Sequence, residues 1–214
     1  MHEKSNAPGA GKLSPDPGMS GGPRSARDTD NPVPRGVDTP FPGGTVTFLF
    51  TDIEGSTRLL RRIGDRYAGV LERHRELLRN AVAGQDGVEV DSEGDGLFFA
   101  FAGAKSAVAA CIAGQRALLT EPWPPGVTVR VRMGLHTGEA IPVNRRYVAL
   151  AVHQAARVAS AAHGGQILVS DATAAAVTEA LPASSSVQQL GMYRLKDFDT
   201  PVVFRGDPAR RTAV

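Results

Sequence analysis

The run from Gly44 to Thr57, Gly-Thr-Val-Thr-Phe-Leu-Phe-Thr-Asp-Ile-Glu-Gly-Ser-Thr, constrains the fold of this chain more than any other segment. Its residues from Thr45 to Thr51 are all β-branched or large and apolar, a composition that favours a strand buried on both faces. That strand delivers Asp52 into a turn just ahead of a helix, where a carboxylate can hold a cation. A second turn of the same kind follows 43 residues later: Asp91-Ser-Glu-Gly-Asp-Gly-Leu-Phe-Phe-Ala-Phe101 sets Asp95 in a Gly-Asp-Gly turn before another apolar run. Two carboxylates presented in this way around metal suit phosphoryl transfer at a nucleotide.

The segments between and after these turns predict an α+β fold. Leu59, Leu60, Ile63, Tyr67, Val70, Leu71, His74, Leu77, Leu78 and Val82 recur at intervals of three and four, the stripe of one long helix capped by Ser56 or Thr57 and stopped at Gly84. Val88 to Asp91 and Leu97 to Phe101 read as the arms of a hairpin. A helix over 105–119 and a half-buried strand over 127–136 come next. An arm over 139–147 leads to a helix over 149–162, ended by His163-Gly164-Gly165, then a strand over 166–169 and a short Ala-rich helix capped by Asp171. Residues 193–196 and 202–205 flank Asp199-Thr-Pro201 as a closing hairpin. The order is that of a ferredoxin-like core, βαββαβ, with a C-terminal αβ extension.

Eight of the fifteen prolines fall in residues 1–43 among Gly, Ser, Asp and Asn. Such a segment cannot bury enough apolar surface to order itself, so 1–43 reads as a disordered tail and 207–214 as a flexible C-terminus around a folded domain over 44–206. The formal net charge of +2 gives no global argument for a nucleic-acid partner, and no aromatic platform or basic stripe accompanies Asn144-Arg-Arg-Tyr147. The lone Cys111 cannot form an intrachain disulfide and reads as a small buried residue of a helix. No 18-residue apolar run and no signal-like start is present, so the expectation is a soluble cytoplasmic protein with no membrane association.

With Arg132-Met-Gly-Leu-His-Thr-Gly138 and Val152-His-Gln-Ala-Ala-Arg-Val158, the two turns resemble, in order and spacing, the class III adenylate/guanylate cyclase catalytic domain over roughly residues 44 to 206. The resemblance implies the nucleotide cyclase fold, and a reaction in which the ribose 3′-hydroxyl of ATP or GTP attacks its own α-phosphorus, releasing pyrophosphate. It implies two Mg²⁺ or Mn²⁺ ions per site, held by Asp52, Asp95 and the backbone of Ile53. The turn through Ile53, Gly55, Ser56 and Thr57 would meet the phosphates at a helix N-terminus. Arg132 matches the family's phosphate-binding arginine, and Arg157 the arginine that stabilises charge developing on the α-phosphoryl group. His136 reads as a structural histidine. Because one subunit of the family supplies the metal carboxylates and its partner the base-reading and transition-state residues, the resemblance implies a homodimer with sites at the interface.

Three positions depart from the family pattern. His153 stands where the family carries a ribose-orienting asparagine. Asp91 and Arg146 stand where adenylate-specific members carry lysine and aspartate, so the charges are reversed and suit guanine at least as well as adenine. Asp91 and Arg146 could instead pair with each other, and Asn144 or Arg145 could take the place of Arg146. Two functions therefore compete: a metal-dependent purine nucleotidyl cyclase for intracellular signalling, and a weak or silent cyclase-homology module that binds nucleotide or dimerises as a regulatory part.

Overall fold

A computed structural model describes residues 40–177, together with the backbone of 188–193 and 202–206. Strand β1 (Gly44–Ile53) lies inside a seven-stranded sheet of order β2-β3-β1-β4-β7-β9-β8, formed with β2 (Val88–Glu93), β3 (Gly96–Phe101), β4 (Val131–Ala140), β7 (Ile167–Ser170), β8 (Gln188–Tyr193) and β9 (Val202–Gly206). A small hairpin of β5 (Pro142–Val143) and β6 (Arg146–Tyr147) stands apart. The first four strands of the sheet pair antiparallel in the ferredoxin-like order, with β7 added parallel to β4 and the β8–β9 hairpin beyond it. This is the α+β architecture expected. The turn of the closing hairpin, 194–201, lies outside the described residues, as do the tail over 1–39 and the C-terminus over 207–214.

The strand's alternation divides the core in two. Leu49 and Ile53 face helices α1 (Ser56–Ile63), α2 (Tyr67–Ala83), α3 (Ala104–Thr120) and α5 (Asp171–Val177), while Val46 and Phe48 face α4 (Leu150–Ser160) with Ala100, Ala151 and Ala155. Asp52 shares the parity of Val46, Phe48 and Phe50, which places it on the α4 side.

Helix α4 lies close on this side because β4 offers it glycine. A Cβ built on Gly134 would stand 2.1 Å from the backbone nitrogen of Ala159, and one on Gly138 would stand 2.8 Å from the Ala151 Cβ. Four residues of strand span about 13 Å, and the eight residues from Ala151 to Ala159 rise about 12 Å in a helix. The Gly-x-x-x-Gly spacing of β4 therefore matches two turns of α4. Small residues on both sides set the height of α4 above the sheet.

Several element boundaries differ from those the sequence predicts. The long first helix is two: Gly64, with φ 56° and ψ −130°, ends α1, and a 3-10 turn over Gly64–Arg66 intervenes before α2. Neither Ser56 nor Thr57 caps α1; the N-cap is Gly55 in a left-handed conformation with φ 69°. Strand β4 begins at Val131 rather than Val127, since its partner β1 ends at Ile53, opposite Val131. At its other end it runs on to Ala140, opposite Gly44, and so takes in the first residues of the expected arm. Residues 40–43, which composition places in the tail, lie against the small hairpin. Phe41 stacks on Tyr147 at 5.5 Å, and the Tyr147 hydroxyl donates to the Pro42 carbonyl at 2.7 Å.

Candidate active site

The two turns singled out in the sequence meet at one edge of the sheet. The Ile53 amide, next in the chain after Asp52, donates to Asp95 Oδ2 at 2.9 Å. Asp52 sits opposite Arg132 in the β1–β4 register, and the Arg132 guanidinium forms an ion pair with Asp52 Oδ2. Asp52 and Asp95 border the same open pocket of about 380 Å³, together with Asp91, Phe50, Phe98 and the Ala159 end of α4. The donors are hard oxygens, and each carboxylate has a second oxygen with which to take another ligand, so the pair suits Mg²⁺ or Mn²⁺. Among the described residues no three His, Cys, Asp or Glu side chains converge as a metal cage. An ion held here would need further ligands from backbone, phosphate or water.

The turn after Asp52 is built for close approach. Gly55 adopts φ 69°, and α1 begins with no side-chain cap, so its first amides lack intrahelical partners. Glu54 points elsewhere: its Oε1 accepts from the Gly164 amide at 2.9 Å and its Oε2 pairs with Arg130 at 3.2 Å. The side chain thus ties the turn to the loop that follows α4, leaving backbone rather than carboxylate at the site.

The residues expected to read the base are partly brought together. Asp91 lies opposite Phe98, which is opposite Phe50, and the two rings stack at 4.2 Å, giving the pocket an aromatic floor beside an exposed carboxylate. Arg146 is exposed on β6 and does not border the pocket; no ion pair joins it to Asp91 among the described residues. Asn144 and Arg145 form the β5–β6 turn with φ 50° and 56°, and the Arg145 guanidinium sits 4.7 Å over the Phe41 ring. Both arginines of the arm are exposed. His153 and Arg157 are four apart on α4, one exposed and one half-buried, and neither borders the pocket.

His136 donates or accepts at Ser170 Oγ, 2.8 Å away, and burial holds its pKa below the usual range, which fits a structural role. Sequence reasoning missed α2's contribution. Tyr67 has its pKa raised by burial and then by Asp95, and Arg75 Nη2 donates to the Gly94 carbonyl at 2.6 Å. Their spacing sits within an apolar stripe and gives no separate signal. Burial also pushes His74 down to about 4, against a smaller opposing pull from Asp95.

The chain belongs to the adenylate and guanylate cyclase catalytic domain family, whose profile matches residues 41–204. It is 32% identical over 201 residues to an adenylate cyclase of Podospora anserina, covering 79% of this chain but 9% of the fungal protein. It is 34% identical over 162 residues to an uncharacterised protein of Mycobacterium tuberculosis, covering 75% of this chain and 54% of that one. Among solved structures it resembles the adenylyl cyclase CyaB from P. aeruginosa, with TM-score 0.65 and 25% identity over 80% of this chain and 97% of that one. The fold is also that of Trypanosoma brucei adenylate cyclases in their monomeric state, with TM-score 0.69 and 24% identity over 80% of this chain and 92% of that one. No helix among the described residues is long and apolar enough to cross a membrane.

Proposed function

We propose that this chain is a metal-dependent purine nucleotidyl cyclase that converts ATP or GTP to the 3′,5′-cyclic nucleotide and pyrophosphate for intracellular signalling, acting as a homodimer. The reading is carried by the convergence of Asp52 and Asp95, from turns 43 residues apart, on one pocket through the Ile53 amide. Bound at Asp52, Asp95 and the Ile53 backbone, two Mg²⁺ or Mn²⁺ ions would neutralise the triphosphate and lower the pKa of the ribose 3′-hydroxyl. The chain's own part is positioning and electrostatics.

In this reading the uncapped amides of the Gly55-Ser56-Thr57 turn and the Arg132 guanidinium receive the polyphosphate. Arg157 takes the charge that develops on the α-phosphoryl oxygens, and His153 donates a hydrogen bond to the ribose. Asp91 accepts from amino and imino groups on a purine edge while Arg146 donates to a carbonyl. Since Arg146, His153 and Arg157 do not border the pocket of their own protomer, a second copy placed head to tail supplies them. Exposed apolar side chains at Ile141, Val143, Val148 and Leu150 surround the same arm and the start of α4, which supports an interface there.

The deciding experiment is incubation of purified protein with ATP and with GTP in Mg²⁺ or Mn²⁺, with products identified by mass spectrometry. A cyclic nucleotide that disappears in Asp52→Asn supports the enzyme. Nucleotide binding without product assigns the chain to the silent regulatory class. For the dimer, Asp52→Ala and Arg157→Ala proteins, each inactive alone, should recover activity on mixing; no recovery despite subunit exchange sinks the shared site.

A further inference from the structure

Helix α2 is bonded to the second turn of the candidate site. Arg75, on its third turn, reaches Gly94 in the turn between β2 and β3. This contact comes from outside the pocket, on the helix layer opposite α4.

The β2–β3 turn needs such support. It is a two-residue connection closed by the paired Glu93 and Gly96, and Gly94, at φ 56° with no side chain, adds no anchor to the peptide that leads into Asp95. Two bonds from other elements hold consecutive residues: Arg75 Nη2 to the Gly94 carbonyl at 2.6 Å, and the Ile53 amide to Asp95 Oδ2 at 2.9 Å. The second bond fixes the carboxylate to β1. The first fixes the backbone from which that carboxylate hangs. Little else competes for the Arg75 guanidinium. Its side chain is 25% exposed, its ion pair with Glu72 is long at 3.7 Å, and its buried Nε has no hydrogen-bond partner. A bond from a charged donor to a backbone carbonyl is among the stronger ones available to a protein.

We infer that Arg75 is a positioning residue for the metal site, holding the Gly94–Asp95 peptide so that Asp95 presents its oxygens alongside Asp52. The inference rests on the reading of Asp52 and Asp95 as metal ligands. It separates Arg75 from the other α2 arginines: Arg73 and Arg79 are bound to Glu121 and Glu89, away from the turn.

The test is Mn²⁺ titration of the full chain without nucleotide, followed by the EPR signal of free aqueous Mn²⁺. Wild type is compared with Arg75→Met, Arg75→Lys, Asp95→Asn and the Arg75→Met/Asp95→Asn double variant. Arg75→Met should weaken Mn²⁺ binding about tenfold, which corresponds to about 1.4 kcal/mol. Arg75→Lys, which keeps a donor, should lose less, and Arg75→Met should cost nothing further in the Asp95→Asn background. If Asp95→Asn weakens Mn²⁺ and Arg75→Met does not, the positioning role is overturned while the metal site stands. A further loss of the same size in the double variant overturns it too, since the effect then does not pass through Asp95. If wild type binds no Mn²⁺ or Asp95→Asn binds it equally well, the metal reading fails and takes this inference with it. Should Arg75→Met fail to fold, the Arg75→Lys comparison in both backgrounds reads the same outcomes.

Discussion

Arg132 and Asp52 face each other across the β1–β4 ladder and are joined by an ion pair, and Asp52 borders the pocket. Both side chains are about one-third exposed, at 30% and 37%, so solvent screens the attraction and its share of stability is small. Arg132→Ala should therefore lower unfolding stability by less than about 1 kcal/mol. If the guanidinium receives phosphate, the same change should reduce kcat/KM at least about tenfold, as loss of a charged contact does. Denaturant unfolding and steady-state kinetics on one preparation check this. A large stability loss with unaltered kinetics per folded molecule would make Arg132 structural.

The approach of α4 to the sheet yields a prediction about the glycine motif. At Gly134 an added methyl would meet the nitrogen, Cα and Cβ of Ala159 at 2.1, 2.3 and 2.7 Å. Gly134→Ala must push α4 outward, and should cost about 2 kcal/mol or more. Because the closest atoms are backbone, Ala159→Gly should not rescue it. A Gly134→Ala variant with wild-type melting behaviour would show that α4 is not held at this height.

His74 predicts an acid limb in stability. Its ring is fully buried with both nitrogens lacking a protein partner, and burial lowers its pKa to about 4; Asp95 opposes that shift, while Arg75 and Arg79 add to it. The unfolded ring titrates near 6.5. Between those values the folded state binds fewer protons than the unfolded state, so stability rises with pH across the window and falls as pH drops through it. The loss should reach roughly 3 kcal/mol near pH 4. In His74→Leu that part of the slope should vanish, measured by urea unfolding from pH 7 to 4. An unchanged slope would assign the acid limb to carboxylates elsewhere.

What the sequence can convey depends on how local the cause is. The strand 44–53 is legible because β-branched and aromatic residues crowd one stretch, and Asp52 and Asp95 stand out because each adjoins such a run. The break at Gly64 is hidden, since Leu59, Ile63, Tyr67 and Val70 keep the three-four spacing across it and all pack on the same cluster. The start of β4 is hidden for a different reason: residues 127–130 alternate like a strand, but β1 has ended and offers them no partner. Arg75 has no sequence signal, because its role comes from a turn 19 residues away that α2 happens to pass.

The arm sharpens the question of the base. Arg145 sits over Phe41 and Arg146 is exposed beside it, while Asp91 borders the pocket with the stacked Phe50 and Phe98. If these two read the purine, Asp91→Lys with Arg146→Asp should move preference toward ATP, since lysine donates to the adenine ring nitrogen and aspartate accepts from its amino group. Either change alone should do worse than the pair, because it leaves two like charges facing one base. One well-placed contact is worth about 1–3 kcal/mol. The ATP-to-GTP ratio of kcat/KM should therefore shift by about tenfold or more in the double variant. An unchanged ratio in a folded, active double variant removes both residues from base recognition, and the exposed Arg146, which does not border the pocket, is the first to be given up.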